Sequence, residues 1–386
     1  MNEQHGNGLL TVIGMRGCDS FVSQVDYYLH KAREGEEDQE YVIHADCNRF
    51  SSGEAKIMLH DSMRGRDVFI ISDCFNYGET FTMYGRTVPM TPDDHFADLK
   101  RVIGAIAGKA TRISVIMPML YEGRQHKRTG RESLDCALAL QQLVNMGVKN
   151  IITFDAHDER VQNAIPLAGF DSIRTAYQMI KAFVRKETDV NLLDKGQTMI
   201  ISPDEGGLGR CNFYASVLGL NLGMFSKRRD YTRVVNGKNP IVAHDYLGNS
   251  VAGKNCIVID DMISSGDSMF DVCRQLKESG AAKIFLFATF GLFTSGLDKF
   301  DQYYGEGKFD RVYTTNLIYR TPELLTRDWY CEVNMCKYVS ILIDTVNKDL
   351  STSKLLMPEK RIHKLMERLE RGEPVCRQIM IVRALR

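Results

Sequence analysis

A chain of 386 residues exceeds one typical domain and fits two of about 150 residues each plus a remainder. At 44% apolar and 25% charged residues the composition is that of an ordinary globular protein, which excludes disordered and fibrous classes. Lys plus Arg and Asp plus Glu both total 49, so no net field draws the chain to nucleic acid or an anionic membrane, and any anion site must be local.

The N-terminus places Asn2, Glu3 and Gln4 before a short apolar stretch and lacks the basic start and apolar core of a signal peptide. A cytoplasmic location is therefore expected, and ten cysteines without a C-x-x-C pair read as thiols there. Runs rich in Val and Ile at Asp67–Ser72, Arg112–Met117, Asn150–Phe154, Thr198–Ser202, Asn255–Ile259 and Lys283–Phe290 alternate with helical patterns. That alternation predicts an α/β fold with parallel sheets. Thr91-Pro92-Asp93-Asp94 reads as an N-cap, a first-position proline and an acidic first turn, opening a helix that buries Phe96, Leu99, Ile103 and Ile106. A second helix is predicted over Glu132–Met146, where Leu134, Ala137, Leu138, Gln141 and Val144 recur at helical spacing. The longest strongly apolar run, Ile284–Phe293, is half the roughly 20 residues that span a bilayer and reads as a buried strand.

Each half holds an apolar strand running into acid: Ile151-Ile152-Thr153-Phe154-Asp155 and Ile257-Val258-Ile259-Asp260-Asp261. Two related units explain this, with domains over 1–170 and 171–345 and an extension over 346–386 that is expected to pack on the first. Within the extension, Ile362, Leu365, Met366 and Leu369 make one apolar stripe, read as a docking or oligomer contact.

The most informative segment is Ile257–Met269, a buried strand ending in two carboxylates, then a small hydroxyl-rich turn and a helix. Ligands of open α/β sheets sit at the carboxyl ends of strands, where a helix N-terminus offers free N–H groups to phosphate. Ser264, Ser265 and Ser268 add hydroxyl donors, Gly266 admits close backbone approach, and Asp260 and Asp261 suit ribose hydroxyls. Bare turn chemistry is the competing reading. Ser202-Pro203-Asp204-Glu205-Gly206-Gly207 also follows a strand and precedes a helical pattern, so its consecutive N–H groups can form an anion nest. Lys227-Arg228-Arg229 is either a solvated face or a set of mobile cations for a transition state whose charge spreads over phosphate oxygens.

Asp260–Ser268 resembles the ribose-phosphate loop shared by type I phosphoribosyltransferases and phosphoribosyl pyrophosphate synthetases, with Asp267 replacing a common glycine. The Ser-Pro-Asp-x-Gly-Gly of the synthetase pyrophosphate loop is matched in full, which assigns Asp204, Glu205, Gly206 and Gly207 to pyrophosphate. Lys227 and Arg229 resemble the Lys-x-Arg that begins the synthetases' flexible catalytic loop. In the first half, Arg49–Glu54 resembles the segment that holds adenine across a subunit boundary, implying that Phe50 stacks and Glu54 accepts from the amino group, with Ser52 where the family has Asp or Asn. Arg124 and Gln125 resemble the Arg-Gln segment near ATP, followed here by His126 in place of the familiar Asp. Asp155-Ala156-His157 resembles the Asp-x-His segment, implying that His157 lies near the ATP phosphates and Mg²⁺ and that Asp171 reaches a metal-bound water.

The resemblance implies two tandem phosphoribosyltransferase-like domains, each a parallel sheet flanked by helices. It also implies ATP and ribose 5-phosphate as substrates, Mg²⁺ as cofactor, and a homo-oligomer with the ATP site at a subunit interface. The reaction would move the β,γ-pyrophosphate of ATP to C1 of the sugar. Departures at Cys74–Asp94, at Asp230–Gly253 and after Lys348 place the chain in a divergent branch. Two alternatives stay open: a phosphoribosyltransferase, and a regulatory paralogue that binds synthetase subunits without turnover.

Overall fold

The computed structural model describes residues 8–33, 39–229 and 241–373, with the side chains of 227–229 and 241–244 left out. The first half runs β1 (Leu9–Gly14), α1 (Asp19–Ala32), a hairpin of β2 (Ala45–Arg49) and β3 (Ala55–Leu59), then β4 (Arg66–Ile71). A second hairpin follows, β5 (Thr80–Met83) and β6 (Arg86–Pro89), then α2 (Pro92–Ile106), β7 (Arg112–Ile116), α3 (Asp135–Asn145), β8 (Asn150–Phe154) and β9 (Gly169–Ile173). Strands β1-β4-β7-β8-β9 form a five-stranded parallel sheet in that order. Helices cover both faces of such a sheet, which is why β4 and β8 read as continuous apolar runs rather than alternating ones.

The second half runs α4 (Ala176–Lys186), β10 (Thr198–Ser202), α5 (Leu208–Leu218), β11 (Asn221–Arg229), β12 (Ile241–Leu247), β13 (Asn255–Ile263) and α6 (Asp267–Glu278). It continues through β14 (Lys283–Gly291), α7 (Asp298–Gly305), β15 (Arg311–Thr315), α8 (Pro322–Leu325), β16 (Tyr330–Val333), α9 (Cys336–Asn347), α10 (Ser353–Leu356) and α11 (Glu359–Glu370). The sheet order is β12-β11-β10-β13-β14-β15-β16, parallel except for the antiparallel β11–β12 edge. The expected α/β class with two sheet-and-helix units is what the chain adopts.

Strand period divides the core. Ile257, Ile259, Phe285 and Phe287 join the large apolar cluster that also fills the first half, whereas Cys256, Val258, Ile284 and Leu286 point into a second cluster. The single tryptophan, Trp329, sits in that second cluster, stacked on Phe300 at 5.5 Å with its indole N–H donating to Asp301 at 2.6 Å. The nine described cysteines are free thiols. No helix among the described residues is long and apolar enough to cross a membrane.

Local chemistry sets several boundaries. Thr91 and Asp94 form a reciprocal capping box at the start of α2, with Pro92 in the first turn and Phe96, Leu99, Ile103 and Ile106 buried beneath. The Cys74–Asp94 departure contains the β5–β6 hairpin, which packs on the β2–β3 turn: Arg49 lies over Phe81 at 4.8 Å and Tyr84 donates its N–H to Ser51. Gly53, at φ 94°, is required there because a Cβ would come 2.7 Å from the Met83 sulfur.

After β16 the chain returns to the first half. Helix α9 packs on α1, and buried Asn347 accepts from Arg33 at 2.6 Å while donating to Asp67 at 2.9 Å. Arg112 grips the same Asp67 with two bonds of 2.9 and 2.6 Å. Helix α11 instead lies on α4 and α5, burying Ile362 and Leu365. Asn347→Ala should lower stability by about 1–3 kcal/mol, because Asp67 and Arg33 each lose a partner inside the protein. Urea unfolding would show this as a lower midpoint at constant slope, and an unmoved midpoint would remove the clasp from the stability of the fold.

Candidate active site

The carboxyl ends of β8 and β13 meet across the seam between the two sheets. β8 delivers Asp155, Ala156 and His157, and β13 delivers Asp260 and Asp261. The latter pair does not follow its strand, as the sequence pattern suggested. β13 continues to Ile263 because β14 runs on to Gly291 and offers ladder partners to Asp260, Met262 and Ile263.

His157 Nδ1 lies 2.7 Å from Asp261 Oδ2, a direct bond between the halves. That bond lifts the imidazole above its usual value of 6.5 against the opposing effect of burial. Burial alone would raise Asp261, but His157 and the Arg210 guanidinium outweigh it and hold the carboxylate below the usual range. Neighbouring Asp260 is driven upward by burial and then by the charge of Asp261, so the two carboxyls are split in opposite directions.

Arg210, in the first turn of α5, was not singled out in the sequence. Its guanidinium stands 3.8 Å from Asp260 and within the fields of Asp155 and Asp261. A cation in a helical first turn opposes the helix dipole, and that mismatch was the available signal that acids or a bound anion lie opposite. Asp155 adopts φ 38°, a left-handed conformation that costs energy for a residue with a side chain. Its carboxylate is held by the hydroxyls of Thr175, at 2.7 Å, and Thr289, a second tie from one sheet to the other.

Two cavities share Asp155, Ala156 and His157. One, of about 160 Å³, is lined also by Tyr121, Arg124 and Asp261. The other, of about 370 Å³, is lined by Arg174, Gly206, Arg210 and Tyr214. Arg124 and Gly206, which the resemblance assigns to pyrophosphate, thus line the two cavities that share His157. Gln125 is anchored beside Arg124 by donating to the Ser133 carbonyl at 2.9 Å. The His126 ring tilts against His157 with centroids 5.3 Å apart, its Nε2 is 3.6 Å from Asp158, and its buried Nδ1 has no partner among the described residues.

The loop 203–207 closes on itself before α5. Asp204 accepts from the Gly207 N–H at 3.2 Å, and Glu205 accepts from the Ser226 hydroxyl at 2.6 Å. At the other loop, Gly266 caps α6 at φ 89°, where a Cβ would lie 2.6 Å from the Phe300 ring. Ser264 meets Thr294 at 3.4 Å, and the Ser265 hydroxyl donates to Asp267 at 2.9 Å; Ser268 follows on the exposed face of α6. Lys299, also missed in the sequence, bonds Asp267 at 2.6 Å and holds that carboxyl below its usual value.

Other expected residues stand apart. Phe50 is 56% exposed on the β2–β3 turn and Glu54 accepts from Ser52 at 2.9 Å, away from both cavities. Asp171 lies in β9 opposite Ile152 and lines neither cavity, so the structure does not bring it to His157. Lys227 and Arg229 were expected to begin a loop. Their backbone instead ends β11, paired with His244 and Ile241 of the edge strand β12, and their side chains lie outside the described residues.

Residues 11–147 match the family described as the N-terminal domain of ribose phosphate pyrophosphokinase, and residues 167–299 match the phosphoribosyl transferase domain. A ribose-phosphate pyrophosphokinase of Mycoplasma pneumoniae is 30% identical over 278 residues, covering 71% of this chain and 76% of the relative. One from Vibrio cholerae is 26% identical over 316 residues, covering 80% and 90%. The crystal structure of phosphoribosylpyrophosphate synthetase from Mycobacterium smegmatis superposes with a TM-score of 0.71 at 23% identity, covering 88% of this chain and 99% of that one, which shows a shared fold. With both domains matched in order and the relatives covered over most of their length, the chain belongs to the ribose-phosphate pyrophosphokinase family.

Proposed function

We propose that the chain transfers the β,γ-pyrophosphate of ATP to C1 of ribose 5-phosphate, releasing AMP. The observation that carries this reading is the convergence of Arg124 and His157 from one half with Asp261, Gly206 and Arg210 from the other around two cavities that share a wall. A phosphoribosyltransferase needs only the second half, so the matched first half argues against that alternative.

In the proposed reaction the anomeric hydroxyl oxygen of ribose 5-phosphate attacks the β-phosphorus of ATP. The bond from that phosphorus to the α,β-bridging oxygen breaks, AMP leaves, and the proton of the attacking hydroxyl is released to water. Asp260 and Asp261 orient the ribose hydroxyls, and residues 264–268 hold the 5-phosphate at the start of α6. Asp204, Glu205, Gly206 and Gly207 cradle the migrating pyrophosphate, which Arg210 faces from the first turn of α5. Arg124, Gln125 and protonated His157 bind the ATP phosphates, while Lys227 and Arg229 stabilise the transition state. Phe50 and Glu54 take adenine from a neighbouring copy, which makes the active form a homo-oligomer. Most of the catalysis is then positioning and electrostatics.

Carboxylates beside a phosphate-sized space fit an Mg²⁺ carried by ATP, since that ion takes one or two carboxylates and fills its shell with phosphate oxygens and water. Bound there, Mg²⁺ would neutralise the charge on the pyrophosphate. His157, which the resemblance puts near the metal, lies in the wall of both cavities; as an imidazolium it would bind the phosphate oxygens that carry the ion rather than the ion itself. Asp171, assigned to it by resemblance, would need a different local arrangement to reach it.

One observation favours a regulatory paralogue instead: Asp267 and Lys299 already pair at the mouth of the phosphate loop. Phosphorus NMR of the protein with Mg-ATP and ribose 5-phosphate separates the readings. Equal appearance of AMP and a sugar-linked diphosphate is expected, whereas substrate binding without either product would establish the paralogue. For Lys227→Ala we expect kcat to fall by about 10³ with little change in KM, and retained turnover would take Lys227 out of the mechanism.

The His157–Asp261 bond also fixes a pH dependence. Its contribution is fully present below the usual imidazole value of 6.5 and is lost as pH rises through the raised folded value. On the acid side it is present above the usual carboxyl value of 3.8 and lost as pH falls through the depressed value of Asp261. The Tm difference between wild type and His157→Gln should therefore be largest near pH 5–6 and shrink toward pH 9. A difference that grows with pH would mean the imidazole is neutral in the folded protein.

A further inference from the structure

The larger of the two seam cavities, about 370 Å³, has a wall to which the proposed reaction gives no role: Arg174, Phe213 and Tyr214. Arg174 directly follows β9, and the residues on either side of it are both tied to Asp155. Buried Ile173 accepts from the Asp155 N–H at 3.0 Å, and buried Thr175 donates its hydroxyl to the Asp155 carboxylate at 2.7 Å. The acid that opens the His157 segment therefore also fixes where the Arg174 side chain starts.

That side chain ends on the ring of Phe213, with the guanidinium carbon 4.6 Å from the ring centroid. Phe213 stands three residues after Arg210 on α5, a spacing that puts the two on one helix face. The ring thus carries Arg174 to the side of the helix that bears Arg210. Arg174 has neither an ion pair nor a hydrogen bond among the described residues, so its contact with the ring leaves its charge and its N–H donors open to a ligand. The acids of the same cavity are engaged elsewhere: Asp155 by two threonine hydroxyls and Asp158 by the Arg160 guanidinium at 2.5 Å, with the exposed Glu159 remaining. Two guanidiniums lining one cavity repel each other, and an anion lying between them turns that cost into attraction.

Gly206, assigned to pyrophosphate by resemblance, lines this cavity, while Arg124 lines the one that shares its His157 wall. A triphosphate laid from Arg124 past His157 to Gly206 ends beside Arg174. We propose that Arg174 is a further substrate-binding residue, a fork that grips the terminal phosphate of the donor and sets the preference for a nucleoside triphosphate over a diphosphate. The inference rests on the pyrophosphate transfer proposed above. A donor of β,γ-pyrophosphate has to be told from its own diphosphate, which offers a β-phosphate with nothing attached beyond it, and a cation reserved for the last phosphate makes that distinction.

The test is equilibrium titration of the whole chain with Mg-ATP and with Mg-ADP, without sugar phosphate, in wild type, Arg174→Gln and Arg174→Lys. Arg174 is exposed, so both variants should fold as the wild type does. Arg174→Gln should weaken ATP by about tenfold or more, the size of a lost charge-assisted bond, and ADP by no more than about twofold. Arg174→Lys keeps the charge without the fork and should fall between. An arginine with a merely structural role would weaken both nucleotides alike. Equal weakening of the two, or an unchanged ATP affinity in Arg174→Gln, overturns the proposal. Phosphorus NMR of the wild type with Mg-ATP and ribose 5-phosphate is read separately: absence of product there removes the transfer reaction, while the ratio of ATP to ADP affinity still decides whether Arg174 reads the last phosphate.

Discussion

Three carboxylates, Asp155, Asp260 and Asp261, come together at the seam, and the fold depends on how their charge is compensated. Removing one partner from a buried ionic group is far costlier than never building the group, since the charge left behind has neither water nor a counterion. Arg210 supplies a fixed positive charge and His157 a titratable one, while two threonine hydroxyls hold Asp155. Each compensating group belongs to a different element from the acid it serves. The cluster therefore aligns the two sheets as well as charging the cavities between them.

That arrangement suits transfer of a highly charged group. The compensated cluster leaves one carboxyl pushed up and its neighbour held down, so the Asp260–Asp261 wall is not uniformly negative. Arg124 lines one cavity and Arg174 the other, with the His157 ring in the wall of both. On the proposed reading, a phosphate chain would meet the arginines while the acids face the sugar hydroxyls. The chain's own departures sit around this frame: the β5–β6 hairpin braces the turn bearing Phe50, and His126 places a second ring against His157.

Much of this was legible in residues whose signals are local. The Thr91–Asp94 cap, the buried faces of α2, and strands β8 and β10 follow from short-range pattern, and the structure reproduces them at nearly the same residues. What failed were signals that need a neighbour. β13 outruns its apolar stretch because β14 is there to bond it, and Lys227 and Arg229 lie in a strand because β12 returns beside them. Asp171 was matched by resemblance alone, and a register of one sheet position decides whether a side chain reaches a site. Arg210 and Lys299 gain their meaning from acids far along the chain.

Gly266 has a consequence for spectroscopy. Its lack of a side chain lets the 264–268 loop rest directly on Phe300, and Phe300 in turn stacks on Trp329. Because that indole is the chain's one tryptophan, its emission comes from a single place, one ring away from the loop. The protein therefore carries a built-in optical probe: rearrangement of the loop repositions Phe300 against the indole, and loop motion becomes observable without any attached label.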